Sequence, residues 1–85
     1  DYIKEAEILA KQLLVVDPNN EHGLQLYGLI LYRKRNYLES IEIQKRAIAL
    51  NESNAENHSN IALSYLHSGQ LELARTAIEK SLSLT

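Results

Sequence analysis

The chain has 85 residues, of which 45% are hydrophobic and 24% are charged, and its formal net charge is −2. A chain of this length forms one domain that buries about two-thirds of the surface of its unfolded state. The near-balanced charge gives neither the basic footprint of a nucleic-acid-binding protein nor the polybasic patch of a membrane-surface protein. We therefore expect no nucleic acid and no membrane among its partners.

The sequence contains no cysteine and no methionine. Without cysteine there is neither a disulfide framework nor a thiolate metal site. Cysteine usage therefore does not indicate whether the protein resides in an oxidising or a reducing compartment. The longest uncharged run in a predicted helix, Gly23 to Tyr32, is too short to span a membrane. No signal peptide is recognisable, so the compartment is unknown, with the cytoplasm as the default. Because no methionine begins the chain, we expect a piece of a longer protein.

The first predicted helix covers residues 2–16. Its apolar residues recur at intervals of three and four from Ile3 to Val16, which is the spacing of one helical face. The sequence Asp17-Pro18-Asn19-Asn20 ends this helix, because the residue before a proline is pushed out of the α region. Asn20 is the predicted N-cap of the next helix.

The second predicted helix covers residues 21–34 and is apolar around most of its circumference, more than one packing partner could bury. Gly28 in its interior costs up to ~1 kcal/mol, which predicts that the backbone of the next helix passes close by. The turn at 33–36 ends the helix. We expect Asn36, rather than Arg35, to adopt the left-handed conformation that glycine usually takes there.

Three further helices are predicted over residues 37–51, 55–68 and about 71–84. In the first of these, Glu42 and Arg46 have the i,i+4 spacing of an ion pair. The next starts with polar residues, from Glu56 to Asn60, and ends at Gly69. On the last helix one set of small and apolar residues should face a further helix that the sequence does not contain. That set is Leu71, Ala74, Ala77, Ile78 and Leu82.

The chain repeats itself with a period of 34 residues. After that shift, Tyr27-Gly28 falls on Ile61-Ala62, and Arg35 falls on Gly69. The earlier half-unit also matches, with Ile3 and Ala6 taking the places of Tyr37 and Ser40. Small residues at fixed slots of such a period predict stacked helix pairs.

These slots resemble the tetratricopeptide repeat. The matching segments are Tyr27-Gly28-x2-Leu31, then Tyr37-x2-Ser40-x6-Ala47-x2-Leu50, and finally Ile61-Ala62-x2-Tyr65-x3-Gly69-x-Leu71-x2-Ala74. Departures from the family pattern are Leu31 for Tyr, Arg35 for Gly, Ser40 and Ser81 for Ala, and Glu52 for Pro. The resemblance covers the whole chain as about two and a half repeats: helix B of a partial repeat (1–20) and two full repeats (21–54 and 55–85).

The resemblance implies an all-α fold of five helices, in which antiparallel pairs stack into a superhelix and the A helices line its inner, concave surface. It also implies a protein-interaction module that holds a peptide segment of a partner in the concave groove. The A-helix residues that share this face are His22, Gln25, Leu29, Tyr32 and Arg33, followed one period later by Glu56, Ser59, Asn60, Leu63, Leu66 and His67. Among them, two pairs of apolar residues should form the floor of the groove: Leu29 and Tyr32, and Leu63 and Leu66. Tyr32 is the expected anchor aromatic.

Two alternatives stay open. In the first, another part of the parent chain covers this face. In the second, the repeats have a structural role: they stack as a spacer within a larger repeat protein, or they self-associate through their uncapped terminal helices and form a homo-oligomer. Exposed apolar surface at both ends favours association of that kind.

Catalysis is not predicted. The three histidines, His22, His58 and His67, form no i,i+4 pair. No metalloprotease motif, nucleophile elbow or glycine-rich phosphate loop occurs. We therefore expect no enzyme activity, no metal and no cofactor.

Overall fold

The computed structural model describes residues 1–85 and consists of five α-helices joined by short turns. The helices are α1 (Tyr2–Val16), α2 (Glu21–Arg33), α3 (Tyr37–Leu50), α4 (Ala55–His67) and α5 (Leu71–Ser83). Each predicted helix is present and begins and ends within one residue of its expected position. The all-α fold class is confirmed.

Successive helices pack on one another in antiparallel pairs, and α2 also contacts α4 directly. The core lies where α3, α4 and α5 meet. Ile41, Ile61, Ala62 and Ala77 are buried there. The small side chains of Ala62 and Ala77 let the helix axes approach closely, which is why alanine recurs at these slots.

Two local features set the end of α1 and the start of α2. The Asn20 Oδ1 atom accepts a hydrogen bond from the Gly23 backbone N–H at 2.8 Å, so the predicted N-cap is confirmed. The backbone of Asp17 is extended, and its N–H donates to the Leu13 carbonyl as α1 ends. Extended backbone at the residue before Pro18 is what the proline ring requires.

The prediction that Asn36 takes the left-handed conformation is wrong, because Arg35 does so, with φ at +66°. The Arg35 N–H donates to the Tyr32 carbonyl, and the Asn36 N–H donates to the Leu31 carbonyl at 2.9 Å. These two bonds form a Schellman motif, which assigns the positive φ to the residue two past the helix end. Asn36 then begins α3 as its N-cap residue.

A close approach at Gly28 is confirmed, but a side chain makes it rather than a backbone. A Cβ atom built on Gly28 would lie 2.8 Å from the Cγ atom of Gln44 on α3. Ser40 joins the same region, since its hydroxyl donates to the Gly28 carbonyl at 2.7 Å and lies 3.0 Å from the Ser64 hydroxyl. Three helices therefore meet through small side chains at this level.

Two further expectations are corrected. The predicted ion pair between Glu42 and Arg46 does not form, because the Arg46 guanidinium donates to the Pro18 carbonyl at 2.9 Å, where it holds the turn between α1 and α2. Of the set on α5 that was expected to face a further helix, Ala77 instead belongs to the buried core. Leu71, Ala74 and Ile78 line an open cleft between α4 and α5, and Leu82 is exposed.

Candidate functional site

Three aromatic rings join α2, α3 and α4 at one level of the stack. The Tyr32 hydroxyl lies 3.2 Å from His67 Nδ1, and the two rings meet edge to face with centroids 5.3 Å apart. The Tyr37 ring stacks on His67 at 5.7 Å. We refer to Tyr32, Tyr37 and His67 as the aromatic cluster. It fixes the side chains at the carboxyl ends of α2 and α4 although His67 is exposed.

A polar network joins the amino-terminal halves of α2 and α4. The Gln25 side-chain amide donates to Asn57 Oδ1 at 2.7 Å. The Asn57 amide donates in turn to the Glu21 carboxylate at 2.9 Å and to the Ala47 carbonyl at 3.2 Å. Asn57 is only 2% exposed. Because a buried amide without partners is costly, these bonds are what permit its burial.

The Glu21 carboxylate is the acceptor at the centre of this network. Asn54 donates to it at 2.9 Å and Asn51 at 3.4 Å, in addition to Asn57. Hydrogen bonds from Asn54 and then from Asn57 hold the pKa of Glu21 below its ordinary value, against the opposing effect of partial burial. Glu21, Gln25, Asn51, Asn54 and Asn57 are called the Glu21 network below. It ties α2 to the turn between α3 and α4.

The burial of Asn57 and His58, in the polar start of the fourth helix, was not predicted from the sequence. The His58 Nε2 atom lies 2.8 Å from the Glu52 carbonyl, so this ring also closes the turn before α4. One signal was available: the 34-residue period places Asn57 on the slot of Gly23, which is buried. A position that holds a buried glycine in one repeat is expected to be closely packed in the next repeat, which predicts burial of Asn57.

The eleven residues predicted for the groove fall into five groups. Tyr32 and His67 contact one another, and Gln25 belongs to the Glu21 network. Leu29 and Arg33 line a cleft between α1 and α2, whereas Leu63 and Leu66 line a cleft between α4 and α5. The remaining residues, His22, Glu56, Ser59 and Asn60, are exposed or half-buried at the surface of α2 and α4.

The side chains of these groups include amide donors, an imidazole and a phenol, and two apolar clefts lie between α1 and α2 and between α4 and α5. No group of three or more histidine, cysteine or acidic side chains is arranged to hold a metal ion. No helix has both the length and the apolar character that crossing a membrane requires.

Stacked antiparallel helix pairs with small residues at their crossings define a helical-repeat domain of the tetratricopeptide type. The family model described as "Anaphase-promoting complex, cyclosome, subunit 3" matches residues 1–81. The chain belongs to this family, and the resemblance seen in the sequence is confirmed. Family and fold together indicate a protein-interaction module of a type that is typically non-catalytic.

A solved structure named MamA MSR-1 C2 is similar to the chain, with a TM-score of 0.89 and 25% sequence identity. The match covers 98% of this chain and 48% of that one, so the chain spans about half the length of its structural relative. No curated protein matches the chain in sequence. The comparisons therefore give the fold and the family.

Proposed function

We propose that the chain is a non-catalytic module that binds a peptide segment of a partner protein along the groove lined by α2 and α4. The contact between Tyr32 and His67 carries this proposal, because it makes one surface out of two helices that are separated in sequence by α3. A segment laid across α2 and α4 would meet aromatic edges already held in place, so little side-chain entropy is lost on binding.

Exposed apolar groups next to polar ones support the same proposal. Leu63 is 40% exposed and Leu66 is 50% exposed, on the same helix as His67. Asn60, three residues before Leu63, and His67, next to Leu66, supply polar groups on the same helix for the rim. An apolar centre with a polar rim is the usual composition of a surface that binds a protein segment.

The test is a selection of random peptides displayed on phage against the folded chain. Peptides that are enriched should bind the unaltered chain and the control variant Leu38→Ala equally, since Leu38 is 71% exposed on α3 and lines neither apolar cleft. Binding to Tyr32→Ala, checked to be folded by circular dichroism, should be lost. Enriched peptides that bind both variants with equal affinity would contradict a groove centred on Tyr32.

A structural role is the second candidate. In it, the units 1–20, 21–54 and 55–85 extend a stack of repeats, or copies of the chain join end to end through α1 and α5 as a homo-oligomer. Exposed apolar side chains on the terminal helices favour it, with Leu9 at 52%, Val16 at 86% and Leu82 at 68% exposure. Sedimentation velocity should then show mass that increases with protein concentration. A monomer at every concentration would contradict self-association.

A further inference from the structure

The hydrogen-bond partners of His67 determine which of its two ring nitrogens carries a proton. Its Nδ1 atom lies 3.0 Å from the Leu63 carbonyl oxygen and 3.2 Å from the Tyr32 hydroxyl. A carbonyl oxygen can only accept a hydrogen bond, so Nδ1 is the donor. If Nε2 carried the proton instead, two lone pairs would face each other at 3.0 Å. The neutral ring therefore has its proton on Nδ1.

This tautomer leaves two groups of the aromatic cluster free to bind a ligand. The acceptor lone pair of the neutral ring is on Nε2, which has no hydrogen-bond partner, and the His67 side chain is exposed. The Tyr32 hydroxyl faces a protonated Nδ1, so its own hydrogen points elsewhere, and no other group of the chain bonds to it. The cluster thus offers one acceptor, at Nε2, and one donor, at the Tyr32 hydroxyl.

No acidic side chain pairs with His67. The titratable groups that pack on its ring are the phenols of Tyr32 on α2 and Tyr37 on α3. The acidic residues in the first turns of α3 and α5 are Glu39 and Glu72, and both are exposed. None of the chain's four ion pairs includes the ring. A histidine is a neutral acceptor at about pH 8, and at acid pH it becomes a cation with a donor at each nitrogen.

The basic residues at the end of α2 disfavour a cationic ligand group beside the aromatic cluster. Arg33 and Arg35 follow closely after Tyr32, and neither forms an ion pair. Lys34 between them pairs with Glu7 at 3.1 Å. The two uncompensated charges repel a lysine or arginine side chain of a partner. A neutral hydrogen-bond donor remains, and the side-chain carboxamide supplies two N–H groups without a charge.

We propose that His67 Nε2 binds the side-chain carboxamide of an asparagine or glutamine in the segment that the groove holds. Proton uptake by the ring exchanges this preference for a carboxylate, because Nε2 then becomes a charged donor. While the ring is neutral, a carboxylate in place of the carboxamide would bring two acceptors together. Recognition of this kind rests on the peptide-binding function proposed above, and it specifies the side chain that the carboxyl end of α4 selects.

The first measurement needs no partner, because it concerns the chain alone. A proton–nitrogen NMR correlation spectrum of the imidazoles, recorded at about pH 8 where histidine is neutral, should show a protonated Nδ1 and an unprotonated Nε2 for His67. A proton on Nε2 in that spectrum would overturn the inference, whatever the groove binds.

The second measurement compares two selections of random peptides displayed on phage, one at about pH 8 and one at about pH 5.5, near the two ends of the range in which histidine titrates. Peptides enriched at the higher pH should share an asparagine or glutamine, and those enriched at the lower pH should have an aspartate or glutamate at that position. A synthetic peptide with the carboxamide and its carboxylate form should change in relative affinity by at least about tenfold between the two pH values.

His67→Asn separates recognition from structure. The asparagine amide keeps a donor for the Leu63 carbonyl, which Nδ1 now supplies, but it has no group in place of Nε2. The relative affinity of the two peptides should then change by no more than about twofold with pH, with unchanged helical content. His22→Asn is the matched control, because it removes the other exposed imidazole and leaves the aromatic cluster intact. This control should retain the full change with pH.

The outcomes distinguish the selectivity of His67 from the existence of the groove. An equal change with pH in the unaltered chain and in His67→Asn would overturn the inference but leave a peptide-binding groove. Enrichment of peptides without a shared carboxamide at about pH 8, where histidine is neutral, would do the same. A failure to enrich any peptide at either pH would contradict the proposed function and the selectivity of His67 together.

Discussion

Arg35 and Gly69 stand one 34-residue period apart and end α2 and α4 with the same left-handed turn, with φ at +66° and +83°. Both turns have the same pair of backbone hydrogen bonds, which for the second run from Gly69 to the Leu66 carbonyl and from Gln70 to the Tyr65 carbonyl. The two positions therefore have the same backbone conformation although one residue is arginine and the other is glycine. Arginine there must accept a conformation that its Cβ atom disfavours.

Replacing Arg35 with glycine should therefore stabilise the chain. A non-glycine residue in the left-handed region costs ~1–2 kcal/mol, part of which glycine loses again through greater freedom in the unfolded state. We expect Arg35→Gly to raise the free energy of unfolding by about 1 kcal/mol in urea titrations. Asn36→Gly is the control, because Asn36 has φ at −87° and should gain nothing. A destabilised Arg35→Gly variant would contradict this account.

Gln44 offers a second stability test. It is 2% exposed, and neither its amide nitrogen nor its amide oxygen has a hydrogen-bond partner. Ala10 and Ile78, one period away on either side, show that the slot is apolar elsewhere. Gln44→Met keeps the length of the side chain and removes both unpaired groups. We expect the free energy of unfolding to rise by ~1–3 kcal/mol, the cost of an unsatisfied buried polar group.

Gln25→Met is the matched control for that substitution. Gln25 donates a hydrogen bond to Asn57, so the same change should destabilise the chain by leaving the buried Asn57 oxygen without its donor. Chemical denaturation of the two variants should thus show shifts of opposite sign. If both variants were destabilised, the unpaired amide of Gln44 would not lower the stability of the chain.

The Glu21 network should make part of the stability depend on acid pH. The pKa of Glu21 is lowered in the folded state from 4.5, chiefly by hydrogen bonds from Asn54 and Asn57. A lowered folded-state pKa means that the network contributes its full stability above pH 4.5 and loses it as the pH falls through the folded-state value. Glu21→Gln should therefore flatten the fall in melting temperature below that pH.

The control for this pH prediction is Glu56→Gln. Glu56 lies in the first turn of α4 as Glu21 lies in the first turn of α2, so both carboxylates face a helix amino terminus. Only Glu21 has three asparagine donors. If both substitutions reduced the fall in melting temperature at low pH equally, the helix termini rather than the Glu21 network would cause the effect.

Most of the fold could be predicted because its determinants are local. Pro18, Asn20 and Gly69 mark helix ends through backbone chemistry, and the 34-residue period fixes how many helices follow. The contacts that the sequence did not reveal join residues far apart in the chain. Arg46 reaches Pro18 rather than Glu42, because packing of α3 brings that carbonyl within 2.9 Å of the guanidinium. No spacing rule within one helix contains this information.

Only part of the candidate site could be predicted from the sequence. The periodic pattern brought Tyr32 and His67 to one face, and the two rings are in contact. It gave no reason to place Leu29 beside α1 and Leu63 beside α5, because those neighbours depend on helix crossing angles. The network that centres on Glu21 was likewise hidden, since its donors come from two helices and a turn.

Tyr32 gives the sharpest test of the proposed groove. Aromatic side chains that are already held in place are the usual anchors of an interface, and losing one costs about 2 kcal/mol or more. We expect Tyr32→Ala to weaken binding of a selected peptide by that amount in titration calorimetry. Tyr32→Phe keeps the ring and loses only the hydroxyl next to His67 Nδ1, which lies at an exposed site.

The two substitutions at Tyr32 should therefore separate the ring from the hydroxyl. A single neutral hydrogen bond contributes about 1 kcal/mol, so Tyr32→Phe should lose no more than that. Helical content must be unchanged in both variants, because Tyr32 also packs on Tyr37 at 5.8 Å. Equal losses from Tyr32→Phe and Tyr32→Ala would assign recognition to the hydroxyl and to His67. A folded Tyr32→Ala variant with undiminished affinity would remove Tyr32 from the binding surface, because an anchor ring cannot be deleted without cost.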